Sequence, residues 1–109
     1  MNTTGFIRGY MAKNMNDDDF IKIVVAALSR EFEEDVKLKN VNKDEFLISI
    51  KDYKVILSKE LIKKLKSPYG IDKFILEEYE NQGFNLNKNR SQYIRYCFGI
   101  YDRGGLRYS

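Results

Sequence analysis

The stretch VKLKNVNKDEFLISIKDYKVILS, residues 36–58, decides how this chain reads. In EFLISIK, Phe46, Ile48 and Ile50 fall on one side, and Glu45, Ser49 and Lys51 are among the outward set. That period of two is the mark of a half-buried β-strand. VKLKNV alternates in the same way, with Val36 and Leu38 opposed to Lys37 and Lys39. KDYK is a polar turn, and KVILS supplies the returning strand. The pattern predicts an antiparallel meander of two or three strands from Val36 to Leu57.

On the N-terminal side the period changes. From Asn16 to Asp35, Phe20, Ile23, Val24, Ala27, Leu28 and Phe32 recur at helical spacing. Asn16 or Asp17 can cap that helix, and the acidic run Asp17–Asp19 suits its positive end. Consecutive helical side chains point about 100° apart, so these three carboxylates do not converge on a metal ion. Residues 1–16 lack a clear period. GFIRGYM reads as an edge strand or as a loosely held arm.

On the C-terminal side, Ser58 caps a short helix, KELIKKLK. Ser67 and Pro68 then open a second helix that runs to about Gln82, with Ile71, Phe74, Ile75 and Tyr79 on its stripe. Gly83 stands where a left-handed helix end belongs, and Phe84 can supply the apolar contact that follows such an end. The last twenty residues, RSQYIRYCFGIYDRGGLRYS, allow two readings. With a period of two, Ile94, Tyr96, Phe98 and Ile100 face the core, and Tyr93, Arg95 and Tyr101 face out. With a period of 3.6, Tyr93, Cys97, Ile100 and Tyr101 form a helical stripe. Aromatic and β-branched content favours the strand, with DRGG as a hairpin loop and LRYS as its return. The whole reads as one α+β domain over residues 1–109: an antiparallel sheet of meander plus C-terminal hairpin, with about three helices packed on it.

Composition narrows the functional classes. The chain is 43% hydrophobic and 14% aromatic, enough to build one core. No apolar run approaches the ~20 residues of a membrane span, and residues 1–16 carry no secretory pattern. A single cysteine, Cys97, makes no internal disulfide and fits a reducing compartment, the cytoplasm. There is no histidine, hence no histidine base, triad or histidine metal site. No phosphate-loop or dinucleotide glycine pattern is present, so no cofactor is expected. Asp44, Asp52 and Lys54 match the acid-x-lysine arrangement of Mg2+-dependent nucleases, but they also fit a solvated turn, which is the commoner meaning. No catalytic or metal-binding residue is therefore assigned.

Charge gives a more specific lead. Residues 35–66 hold nine lysines against five acids, and residues 90–109 hold four arginines against Asp102 alone. Lys59, Lys63 and Lys66 line one side of the short helix. Arg95, Arg103 and Arg107 alternate with tyrosines in the tail. Tyrosine with arginine is the composition of protein-binding hot spots and also suits phosphates and unpaired bases. The expected binding residues are Tyr93, Arg95, Tyr101, Arg103 and Arg107, with Lys59 and Lys63.

In its size, its Lys, Asn and Ile content and its lack of histidine, the chain resembles accessory proteins of phages and mobile elements, including anti-CRISPR inhibitors. The resemblance is compositional and carries no residue roles. It implies a small non-enzymatic protein that regulates or inhibits a larger host machine, such as a CRISPR or other defence nuclease, by protein–protein contact. The expected partner is a larger protein or ribonucleoprotein. The alternative is a nucleic-acid-binding regulator that grips DNA or RNA through its Lys, Arg and Tyr surface.

Overall fold

The stretch 36–58 folds as three antiparallel strands in the order β1 (Lys37–Asn42), β2 (Glu45–Ile50) and β3 (Tyr53–Ser58). This is a computed structural model, and it describes residues 3–100. Ile48 stands opposite Leu38 on one side and Val55 on the other. Phe46, Ile48, Ile50, Val55 and Leu57 therefore share one face, and all are buried. The turn between β2 and β3 has two residues, and Lys51 takes a positive φ of 53° to close it.

Helices cover that apolar face. They are α1 (Thr3–Asn14), α2 (Asp17–Phe32), α3 (Lys59–Leu65), α4 (Gly70–Asn81) and α5 (Gln92–Cys97). From α2 come Phe20, Val24 and Leu28, from α3 Ile62, and from α4 Ile71, Ile75 and Tyr79, joining the strand residues in one core. Burying a side chain of this size stabilises the fold by about 1.5–3 kcal/mol. The Tyr79 hydroxyl donates to the Ile48 carbonyl at 2.8 Å, so even the buried phenol is satisfied. The molecule is α+β.

The ends of these elements follow local chemistry. Asn16 caps α2 by accepting from the Asp19 N–H, and Ser58 caps α3 by accepting from that of Leu61. The second cap of the sequence reading is displaced: Ser67 accepts from the Gly70 N–H, and α4 begins at Gly70 rather than Pro68. A β-carbon at Gly70 would lie 2.4 Å from the Leu65 carbonyl oxygen, so this close crossing of α3 and α4 requires glycine. At the far end of α4, Gly83 adopts φ 103°. The Phe84 N–H reaches the Tyr79 carbonyl and the Gly83 N–H that of Glu80, the paired bonds of a Schellman end. The Phe84 ring then packs against Tyr79, Tyr53 and Phe32.

Two expectations fail. Residues 92–97 are helix α5, not the first strand of a C-terminal hairpin; the proposed return, LRYS, lies outside the described residues. Ser91 caps α5 by accepting from the Ile94 N–H. Gly99, at φ 69°, closes it with a second Schellman pair, Ile100 N–H to the Arg95 carbonyl and Gly99 N–H to that of Tyr96. With both ends specified, Ile94 and Cys97 are buried three residues apart on a helical stripe. Strand propensity is set by neighbours on a sheet, and no described strand lies alongside. Residues 3–14, read as an edge strand or a loose arm, form helix α1. Two glycines among its twelve residues make it a weak helix by itself. Its inner residues Met11 and Ala12, and Met15 just beyond it, pack on the core, so tertiary contact compensates.

Candidate interaction surface

α1 is held by a buried ionic junction. Arg8 is 5% exposed, and Asp72 of α4 is fully buried. The two guanidinium ends of Arg8 donate to the two Asp72 oxygens at 2.8 and 2.7 Å, a bidentate pair. Arg8 also donates to the Pro68 carbonyl, and its guanidinium lies 5.0 Å from the Tyr69 ring centre and 5.7 Å from that of Phe20. Burial works against the charge on Arg8, but the hydrogen bonds and charge of Asp72 outweigh it and hold the pKa above its ordinary value. The Tyr93 hydroxyl of α5 donates to the same carboxylate. Asp72 thereby ties α1 and α5 to α4.

The opposite face of α1 is different. Phe6 is 78% exposed, Tyr10 66% and Ile7 48%. Phe6 and Tyr10 are one turn apart and Ile7 sits beside them, so the three form one outward apolar stripe. None belongs to the core or its partly buried margin. One side of the helix is therefore clamped, and the other displays large apolar groups.

The residues singled out by sequence do not come together. Tyr93 points inward to Asp72, with its ring 6.1 Å from that of Tyr69, and is not on an outer strand face. Burial first, then the Asp72 charge, push its pKa well up. Arg95 is half-buried on the same short helix. Tyr101, Arg103 and Arg107 lie outside the described residues. Lys59 and Lys63 sit on α3 facing the start of α2, where Lys63 reaches Asp17 at 2.6 Å and Lys59 reaches Asp18 at 4.0 Å. Lys66 joins Asp17 at 3.1 Å. The carboxylates in the first turn of α2 thus offset the basic side of α3. Asp44 and Asp52 occupy the turns at opposite ends of six-residue β2. They are on the order of 20 Å apart and cannot hold one ion. Cys97 is buried, and burial followed by the Asp72 charge pushes its thiol up, away from the reactive thiolate.

Sequence reasoning missed Arg8 and Asp72 because charged residues count as outward. A signal was present. Arg8 precedes Met11, Ala12 and Met15 by three, four and seven positions, and Asp72 precedes Ile75, Leu76 and Tyr79 by the same steps. Each charge completes an apolar helical stripe, and the two signs are opposite. No family model matches the chain, and neither a curated protein nor a solved structure is significantly similar to it.

Proposed function

We propose that this chain is a non-enzymatic binding protein that regulates or inhibits a larger protein by occupying its surface, with the outer face of α1 making the contact. The observation that carries this reading is the exposed stripe Phe6–Ile7–Tyr10 on a helix whose other side is locked by the Arg8–Asp72 pair. Contiguous exposed apolar groups mark interaction surfaces, and aromatic residues are enriched in their centres. A helix held in advance loses little entropy on docking. The matching partner offers an apolar groove for two successive helical turns. α1 contains no acidic residue, and Lys13 lies in its last turn, which suits a groove with an acidic rim. The compositional resemblance suggests a host defence nuclease or ribonucleoprotein as that partner.

The test is affinity capture from the native cell with the natural chain and with the Phe6→Ala/Tyr10→Ala variant, both checked for fold by circular dichroism. We expect the variant to lose at least about tenfold of the co-purifying protein, since two central aromatic anchors cost well over the 1.4 kcal/mol of one decade. Equal recovery by both chains would sink the reading.

Nucleic-acid binding is the second reading, and one observation favours it. Lys37, Lys39 and Lys54 project from the sheet face opposite the core, and no described carboxylate pairs with them. That face also carries Leu47 and the half-exposed Ile56 but no aromatic ring for base stacking. Contact would be with phosphates alone. Binding to an oligonucleotide should then weaken with salt with a log–log slope of about −2, roughly 0.7 per lysine. No binding at low salt removes this reading.

A further inference from the structure

The helices lie on one face of the sheet, and among the described residues the other face is left open. Its pattern is set by the register. Lys37, Ser49 and Lys54 stand in one row across the strands, and Lys39, Leu47 and Ile56 in the next. The three lysines and Ile56 are exposed, and Leu47 is half-buried. Neither Leu47 nor Ile56 belongs to the core or its margin. Glu45 closes one end of the face, where the Asn42 amide donates to its carboxylate at 2.9 Å. Leu47 is therefore central, Ile56 lies beside it, and three lysines without a described counter-charge surround the pair.

A lone exposed lysine is ordinary solvated surface. Here the charges share a face with apolar side chains, and the combination is more selective than either part. Phosphates would engage the lysines and leave Leu47 and Ile56 uncovered. A neutral apolar surface would cover Leu47 and Ile56 and leave the lysines unmatched. Both groups are met by one object that carries carboxylates on either side of an apolar stripe.

The dimensions narrow its shape. Three strands make a face on the order of 14 Å wide, and six residues make it about 20 Å long. A helix is about 10–12 Å across with its side chains, and about thirteen of its residues span 20 Å. One helix fills the face. An extended segment laid on it would leave its own backbone groups unpaired, whereas a helix satisfies them internally.

We propose that the outer face of the sheet docks an acidic amphipathic helix of another protein, with its apolar stripe over Leu47 and Ile56 and its carboxylates against Lys37, Lys39 and Lys54. The footprint, on the order of 300 Å2, is well below the ~800 Å2 per partner of a standard interface, so this contact is weak and reversible by itself. It uses none of Phe6, Ile7 or Tyr10 and stands apart from the proposed contact on α1. It claims the same lysines as the nucleic-acid reading, and the two differ in what Leu47 and Ile56 do.

The test uses the whole chain and a synthetic peptide of about sixteen residues, long enough to form a helix in water. The peptide carries a leucine stripe flanked by glutamates. Its controls are the same peptide with lysine in place of glutamate, and a single-stranded DNA oligonucleotide. Amide NMR follows each titration and checks that every variant is folded. Saturable shifts from the glutamate peptide are expected at Lys37, Lys39, Leu47, Lys54 and Ile56, with none from the lysine peptide. Ile56→Ser should weaken the glutamate peptide several-fold. Lys37→Glu/Lys54→Glu should weaken it by about tenfold or more and gain binding to the lysine peptide, because like charges then oppose the first and opposite charges attract the second. Phe6→Ala/Tyr10→Ala should bind the glutamate peptide as the natural chain does, whichever way the capture experiment falls. The proposal is overturned if the glutamate peptide does not saturate at millimolar concentration, if its shifts fall on α1, or if Ile56→Ser binds it unchanged. DNA that binds this face more tightly than the peptide, and is indifferent to Ile56→Ser, would assign the lysines to phosphates and overturn it equally.

Discussion

Among the ion pairs that join helix to helix in the described residues, the two shortest differ in setting rather than in length. Arg8–Asp72 joins α1 to α4 at 2.7 Å with side chains 6% and 0% exposed. Lys63–Asp17 joins α3 to α2 at 2.6 Å, with the lysine 72% exposed. In water the attraction between such charges is about 1 kcal/mol, and it grows as the surroundings dry. Desolvation grows with it, so a buried pair adds little net stability when intact and costs much when half-removed. The contrast teaches that distance does not rank ion pairs; what each partner would face alone does.

The largest effect should come from breaking the inner pair on one side. Asp72→Asn leaves the Arg8 charge buried without its counter-charge, so it should destabilise by about 3–5 kcal/mol in urea unfolding. Replacing the whole junction, as Arg8→Met/Asp72→Leu/Tyr93→Phe, should restore more than half of that loss, because no charge is stranded. If the triple variant is as unstable as Asp72→Asn, the pair itself carries the energy and the contrast with the surface pair is wrong.

The outer pair should respond weakly. Asp17→Asn is expected to cost under about 1 kcal/mol, and most of that should vanish in high salt. It should also depend on pH. Hydrogen bonding from Lys63, and then from Lys66, outweighs partial burial and lowers the Asp17 pKa below its ordinary 3.8. A lowered folded pKa means that the stabilisation is complete above about pH 4–5 and is lost as pH falls through 3.8 towards the native value. The difference between the natural chain and Asp17→Asn should close over that window. A difference that survives both acid and high salt would show that this surface pair behaves like a buried one.

The same contrast explains what could be read in advance. Strand alternation in residues 36–58, the apolar stripe of α2, the cap at Ser58 and the glycine end at Gly83 were legible because each is local chemistry repeated over a few residues. α5 was misread although its signals, Ser91 before it and Gly99 after it, are the same kind as those of α3 and α4. Tyrosine, isoleucine and phenylalanine content outweighed punctuation in a segment of only six helical residues. α1 was hidden for another reason. Its inward stripe begins with an arginine, and an arginine faces inward only if a distant aspartate is there to meet it. The candidate surface was invisible with it, since Phe6, Ile7 and Tyr10 are known to be outside only once Arg8 is known to be inside.

Gln82, just past the end of α4, has a consequence for self-association. Its side-chain amide accepts from the Lys54 N–H at 3.0 Å and donates to the Lys54 carbonyl at 2.6 Å. It acts as one rung of an absent fourth strand and obstructs the β3 border of the sheet. The other border, β1, is interrupted differently, by a shift of register between Asn40 and Asn42. Each border thus departs from the straight, unoccupied edge that a foreign strand needs as a template.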